Sequence, residues 1–297
     1  MKLGLMLPID EKALAGETPR FRDISSIART AEQVGFDSLW VADHLIFGPL
    51  GKDEEGTWEC FTLLSALAAV TSRVTLGPLV ACTSFRNPAL LAKMADTLDD
   101  ISEGRFVLGL GAGWHEPEYQ SFGYPFDHLA TRFEESLVII VPLLRKGSVS
   151  YSGKYVSTGV ALLRPRGPSN GAMPILIGAH RPRMLGLIAR YADAYNTAWH
   201  MDPAIVTQRW DDVKAACKAI DRDPATLELT AGTIVRLLGP ETPQDPESKY
   251  IQGEPEEVAQ RLRGFAEVGV QHLIVMLNPV NEKIVERFAR VMELLRA

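Results

Sequence analysis

The stretch "RFVLGLGAGWHEPEY", residues 105–119, runs a buried strand into three spaced glycines, Gly109, Gly111 and Gly113. Two folds compete for it. In a dinucleotide-binding turn the third glycine of G-x-G-x-x-G lets a helix begin at once against its strand. Here that place is Trp114, and the residues after it contain Pro117, Gly123 and Pro125, which do not read as the first turns of a helix. Nor is this the first strand of the chain. The context favours the C-terminal end of a barrel strand, where ligand-binding groups collect. There the glycines either let a flat ligand approach the backbone or relieve crowding at the rim.

Outward from this stretch, apolar β-branched runs alternate with segments of helical period in both directions. Before it come the strands "KLGLML" (2–7), "SLWVAD" (38–43) and "VTLGPLVA" (74–81), separated by "DISSIARTAEQVG" (23–35) and "CFTLLSALAAVTS" (60–72). "NPALLAKMADTLDDISEG" (87–104) leads into the glycine strand, with Pro88 in its first turn and Gly104 as its stop. After it, "HLATRFEESLVIIVPLLRKG" (128–147) is a long helix, and the Gly-, Ser- and Tyr-rich segment from Ser148 to Met173 reads as an inserted hairpin or loop. Strands "PILIGA" (174–179), "AYNTAW" (194–199), "LELTAGTIV" (227–235) and "HLIVML" (272–277), each with a helix behind it, complete eight units. Strict alternation demands a parallel sheet with right-handed crossovers. Eight units at this length predict an α/β fold, a (β/α)8 TIM barrel with insertions in the loops after the strands, as one domain over residues 1–297. An open doubly wound sheet is the rival.

Composition narrows the function classes. With 46% apolar residues the chain buries a large core. The net charge of −6 and the lack of basic runs offer nucleic acid no attraction. The N-terminal apolar run is interrupted by Pro8 and closed by Asp10 and Glu11, too short for a signal core or a membrane span, so a cytoplasmic chain is expected. Cys60, Cys82 and Cys217 have no paired spacing, and the six histidines show no ligand set, which argues against a metal.

Three places on the rim carry chemistry. Asp43 and His44 end the second strand, where Asp43 orients the imidazole or caps the next segment and His44 exchanges a proton with a ligand, unless the histidine is simply structural. Glu116 and Glu118 follow the fourth strand; without a second carboxylate across the mouth they do not make a glycosidase and read as loop-solvating or substrate-orienting. Gly178, Ala179, His180 and Arg181 empty into a helix that starts at Pro182, with Arg183 beside it. Free N–H groups at a helix start, worth about 0.3 to 1 kcal/mol to an exposed anion, and two arginines suit a phosphate-bearing cofactor; an ordinary basic helix start is the alternative. Trp199, His200, Arg236 and Met276 stand near the ends of the last three strands as candidates for substrate contact. The segments 44–58, 114–126 and 239–253 are long enough to cover the substrate side.

Over nearly its full length the chain resembles the bacterial-luciferase-like flavin oxidoreductase superfamily, and within it the branch that uses the deazaflavin coenzyme F-420. The matching segments are "TAEQVGFDSLWVADH", "AAVTSRVTLGPLVACTSFRNPALLAKMADTLDDISEGRFVLGLGAGW", "ILIGAHRPRMLGLIARYADAYN" and "GEPEEVAQRLRGFAEVGVQHLIV". The resemblance implies that Asp43 and His44 are the catalytic pair, with Asp43 also near the cofactor. It implies a non-proline cis peptide at Leu79 and Val80 behind the ring, with Ala81, Cys82 and Thr83 continuing the wall. Gly111, Ala112, Gly113 and Trp114 would line the other side, and Gly178, Ala179, His180 and Arg181 would hold the phosphate. Trp114 departs from members with a glutamate there, and Ala179 and His180 depart from members with consecutive glycines. The activity implied is hydride transfer between coenzyme F-420 and a small-molecule substrate, in a homodimer. An FMN-dependent monooxygenase using reduced flavin and oxygen is the nearest alternative, and a non-catalytic flavin-binding homologue the third.

Overall fold

A computed structural model describes residues 1–47, 54–239 and 249–297. The chain opens with β1 (Lys2–Met6), α1 (Phe21–Val34) and β2 (Ser38–Val41), followed by two short rim strands, β3 (Ile46–Phe47) and β4 (Glu55–Gly56). Next come α2 (Cys60–Val70), β5 (Thr75–Pro78), β6 (Ala81–Cys82), α3 (Pro88–Ile101) and β7 (Leu108–Gly111). A short helix α4 (Glu116–Phe122) precedes α5 (Leu129–Lys146) and the pair β8 (Ser148–Ser152) and β9 (Ser157–Leu162). The remainder is β10 (Ile175–Gly178), α6 (Pro182–Tyr191), β11 (Ala194–Thr197), α7 (Pro203–Lys218) and β12 (Glu228–Leu237). The chain ends with β13 (Ile251–Gly253), α8 (Pro255–Glu267), β14 (His272–Leu277) and α9 (Glu282–Arg296).

The main sheet is parallel and runs β5-β2-β1-β14-β12-β11-β10-β7-β6, with β13 added beside β12. Its ends meet through a parallel bridge between Leu76 and Phe106, made by Leu76 N–H to Arg105 O at 3.0 Å and Val107 N–H to Leu76 O at 2.9 Å. The sheet is therefore a nearly closed barrel, and the open-sheet rival is set aside. The segment from Ser148 forms an antiparallel hairpin, β8 against β9.

The cis peptide that the resemblance implied between Leu79 and Val80 is present, and it divides the third barrel strand, read from its apolar run as one, into β5 and β6. One local expectation needs correction. The residues after Trp114 do form a helix: α4 takes Pro117 in its first turn, where a missing N–H costs nothing, and stops at Gly123 in the left-handed conformation (φ 75°).

Side chains alternate across each barrel strand. On β12, Leu229, Ala231, Val235 and Leu237 pack outward into the core shared with the helices, so Thr230, Gly232, Ile234 and Arg236 point into the barrel. The outward set meets helical stripes such as Ile24, Ile27, Ala28 and Ala31 of α1. The barrel interior is a smaller cluster of Met6, Trp40, Leu176, Ala194 and Ile274, with partly covered Ala42, Leu79, Val80, Trp199 and Met276 above it. Lower in the barrel, Trp40 Nε1–H donates to Ser38 Oγ at 2.7 Å, and Ser38 Oγ lies 2.7 Å from His272 Nε2.

Candidate active site

The C-terminal ends of the strands leave an apolar floor of half-buried Leu79, Val80, Trp199 and Met276. His44 stands at its edge, just beyond β2 and on that strand's inward parity. Its Nδ1 lies 3.1 Å from Glu118 Oε1, and Glu118 Oε2 accepts the Leu45 backbone N–H at 2.9 Å. A carboxylate accepts only, so Nδ1 carries the proton and Nε2 is the nitrogen available to a ligand. Glu118 is 1% exposed. It is thus the partner of His44 rather than a loop-solvating residue, and α4 places it there. The imidazole is packed by Phe47, with ring centroids 4.3 Å apart, and meets the edge of Trp114 at 5.8 Å.

Asp43 does neither task expected of it. Its buried carboxylate accepts two bonds from Arg86, at 2.6 and 2.9 Å, and a third from the Cys82 backbone N–H at 2.8 Å. Arg86 also reaches Glu59, the N-cap of α2, at 2.6 Å and lies over the Phe61 ring. Burial pulls the Arg86 guanidinium down, but the bonds to Asp43 and Glu59 outweigh it and hold it firmly charged. Asp43 therefore acts as the anchor that ties the end of β2 to β6. Asp10, beyond β1, is an additional carboxyl near His44; burial raises it above the ordinary range while His44 pulls it the other way.

The glycines of the opening stretch answer to protein neighbours. A Cβ on Gly109 would meet Pro78 O at 2.1 Å, and one on Gly111 would meet Val80 Cγ2 at 2.6 Å. At Gly113 (φ 80°) it would lie 1.8 Å from Tyr119 Oη. Val80 lies between Gly109, Gly111 and Gly178, so a side chain at any of the three would crowd it. Ala81, Cys82 and Thr83 are no open wall, at 0%, 4% and 2% exposed. Cys82 Sγ lies 3.0 Å from Tyr119 Oη, burial pushes its thiol up to about 12, and Thr83 donates to Gly111 O.

At the start of α6, Gly178 and Ala179 are half-buried, and His180 and Arg181 are exposed, with Arg181 as N-cap. Arg183 does not join them. Its guanidinium is held on α5 by Glu134 at 2.6 Å and Thr131 at 2.8 Å. His200 is turned to Thr197, with Nε2 2.8 Å from Oγ1. Parts of the covering segments, residues 48–53 and 240–248, lie outside the described residues. No helix among the described residues is long and apolar enough to cross a membrane.

A family model described as luciferase-like monooxygenase matches residues 1–245. The pyrimidine monooxygenase RutA of Pseudomonas savastanoi pv. phaseolicola is 34% identical over 210 residues, which are 66% of this chain and 57% of that protein. The chain thus spans little more than half the length of that relative. The coenzyme F-420-dependent tetrahydromethanopterin reductase of Methanopyrus kandleri has the same fold, with a TM-score of 0.82 at 21% identity over 98% of both chains. So has a riboflavin lyase solved with modified FMN, with a TM-score of 0.83 at 14% identity over 100% of this chain and 91% of that one.

Proposed function

The chain belongs to the luciferase-like monooxygenase family, and from that we propose that it is an oxidoreductase passing a hydride between the deazaflavin coenzyme F-420 and a small organic substrate. The observation that carries this reading is the His44–Glu118 pair set beside an apolar floor at the barrel mouth. A flat tricyclic ring suits that floor, since Leu79, Val80, Trp199 and Met276 leave apolar surface there that no protein group covers fully.

Leu79 and Val80 would back the ring, Ala112, Gly113 and Trp114 would flank it, and Gly178, Ala179, His180 and Arg181 would hold the phosphate through backbone N–H groups and the guanidinium. When bound, the deazaflavin supplies the carbon that takes or gives the hydride. The protein's own contribution is orientation and a proton site. Nε2 of His44 takes the proton of a substrate hydroxyl, or returns one to a carbonyl oxygen, and Glu118 keeps the ring in the tautomer that leaves Nε2 able to do so. Positioning at near-attack distance supplies about 7 to 11 kcal/mol of the barrier.

The second reading, a monooxygenase using reduced FMN and oxygen, is favoured by the 34% identity to a pyrimidine monooxygenase. Titration of the purified chain with each cofactor separates the two. Tight binding of F-420 with weak binding of FMN supports hydride transfer, and the reverse supports the monooxygenase. Binding without turnover of any alcohol, aldehyde or activated alkene supports a non-catalytic flavin-binding homologue. The assembly we propose is a homodimer, which light scattering tests.

A further inference from the structure

One basic side chain on the inward face of the barrel has no use in the chemistry above. Arg236, near the end of β12, follows Thr230, Gly232 and Ile234 on the face turned to the barrel interior, and Ile234 is paired with Met276 of the apolar floor. Its guanidinium is centred 4.1 Å from the ring centroid of Tyr250. Tyr250 is itself held by Asn278, whose Nδ2–H donates to the phenol oxygen at 3.3 Å.

Arg236 has no hydrogen-bond or ion-pair partner among the described residues. Half-buried arginines elsewhere have acceptors: Arg86 binds Asp43 and Glu59, Arg105 binds Thr71 and three backbone carbonyls, and Arg145 binds Asp193 and two carbonyls. A partly desolvated guanidinium without acceptors is costly to keep. Stacking on an aromatic ring uses the flat face and leaves the in-plane N–H donors at its edge, a fork that fits an oxyanion through two parallel bonds.

We propose that Arg236 is the oxyanion-recognition residue of the mouth, so that the substrates of this chain carry a carboxylate or a phosphate group. The proposal rests on the oxidoreductase reading only in calling that ligand the substrate. The anion bonds to the guanidinium edge above Tyr250, and the remainder of the molecule lies over Met276 toward His44. The shared chemistry is an oxyanion with two adjacent oxygens, and the test separates its two sources.

The full chain is titrated calorimetrically with benzoate, phenyl phosphate and uncharged benzamide, as wild type, Arg236→Met and Arg236→Lys, and each variant is also titrated with F-420 and FMN. The expected result is that wild type binds one of the anions and Arg236→Met binds it about 10- to 100-fold more weakly. Benzamide and cofactor affinities stay unchanged. Preference for benzoate identifies a carboxylate substrate and preference for phenyl phosphate a phosphate. Thermal melting checks the fold; if Arg236→Met unfolds, Arg236→Lys is read instead, with a smaller loss confined to the anions. The proposal is overturned if wild type binds neither anion, if benzamide weakens equally, or if the cofactor is lost with Arg236. Should wild type bind no cofactor while anion affinity still depends on Arg236, the function reading fails and the oxyanion site stands.

Discussion

His44 is fixed from two directions: Glu118 accepts its Nδ1 proton and also the N–H of Leu45, so the ring and the backbone beside it are tied to one carboxylate. Replacing His44 with Ala is expected to lower kcat about 100-fold or more while F-420 affinity, read by fluorescence titration, changes little. Equal losses in both would make it a binding residue instead. Glu118→Gln should lower kcat less and flatten the dependence of rate on pH, because an amide still bonds Nδ1 without fixing one tautomer. A different cost attaches to the Asp43–Arg86 pair, whose side chains are 1% and 10% exposed. Arg86→Met strands the buried carboxylate and should cost about 3 to 5 kcal/mol in urea denaturation, because one partner of a buried pair is removed. Asp43 and His44 were readable as neighbours at a strand end. Glu118 was not, since its contact spans 74 positions and depends on a helix that Pro117 and Gly123 seemed to forbid. Read as first-turn proline and terminal glycine, those two residues mark α4.

Among the elements, β14 carries a pH liability. Trp40 Nε1–H donates to Ser38 Oγ, which lies 2.7 Å from Nε2 of His272, and burial keeps that imidazole neutral. Burial lowers the pKa of His272 from 6.5 to about 4, with Glu228 and Asp37 raising it and Lys2 lowering it by smaller amounts. The unfolded chain therefore takes up this proton first. Stability is intact above the unfolded value and falls as pH drops from 6.5 toward 4, by about 2 kcal/mol between pH 7 and pH 5. Urea denaturation at the two pH values measures it; His272→Gln, which can still hydrogen-bond Ser38 but does not titrate, should lose less, and an identical loss would refute the assignment. Strand and helix periods made most elements legible; the segment after Ser148, whose Gly, Ser and Tyr content left hairpin and loop both open, is the hairpin of β8 and β9. The break between β5 and β6 was reached only through resemblance, because "VTLGPLVA" has the unbroken apolar pattern of one buried strand.

For the whole molecule, alternation of period sufficed to indicate a barrel, and pairing of Leu76 with Phe106 closes it. We propose that residues 1–297 form a single domain, which calorimetry should record as one cooperative transition; two separate transitions would refute it. A cofactor bound at 100 times its Kd should stabilise the chain by about 2.7 kcal/mol, a rise of about 4 °C in Tm. The location of the ligand end of the barrel followed from the fold, but ownership of its surface did not: spacing alone cannot say whether a missing side chain makes room for a guest or for the protein itself. For the glycines the protein itself makes a claim on that space, because the two methyl groups of Val80 lie against the places where Gly109, Gly111 and Gly178 would carry a Cβ. The four positions consequently behave as a peg and its sockets. A randomised library selected for folding alone, with no ligand in the medium, should return glycine at 109 and 111, and a new specificity would have to be evolved from other parts of the rim.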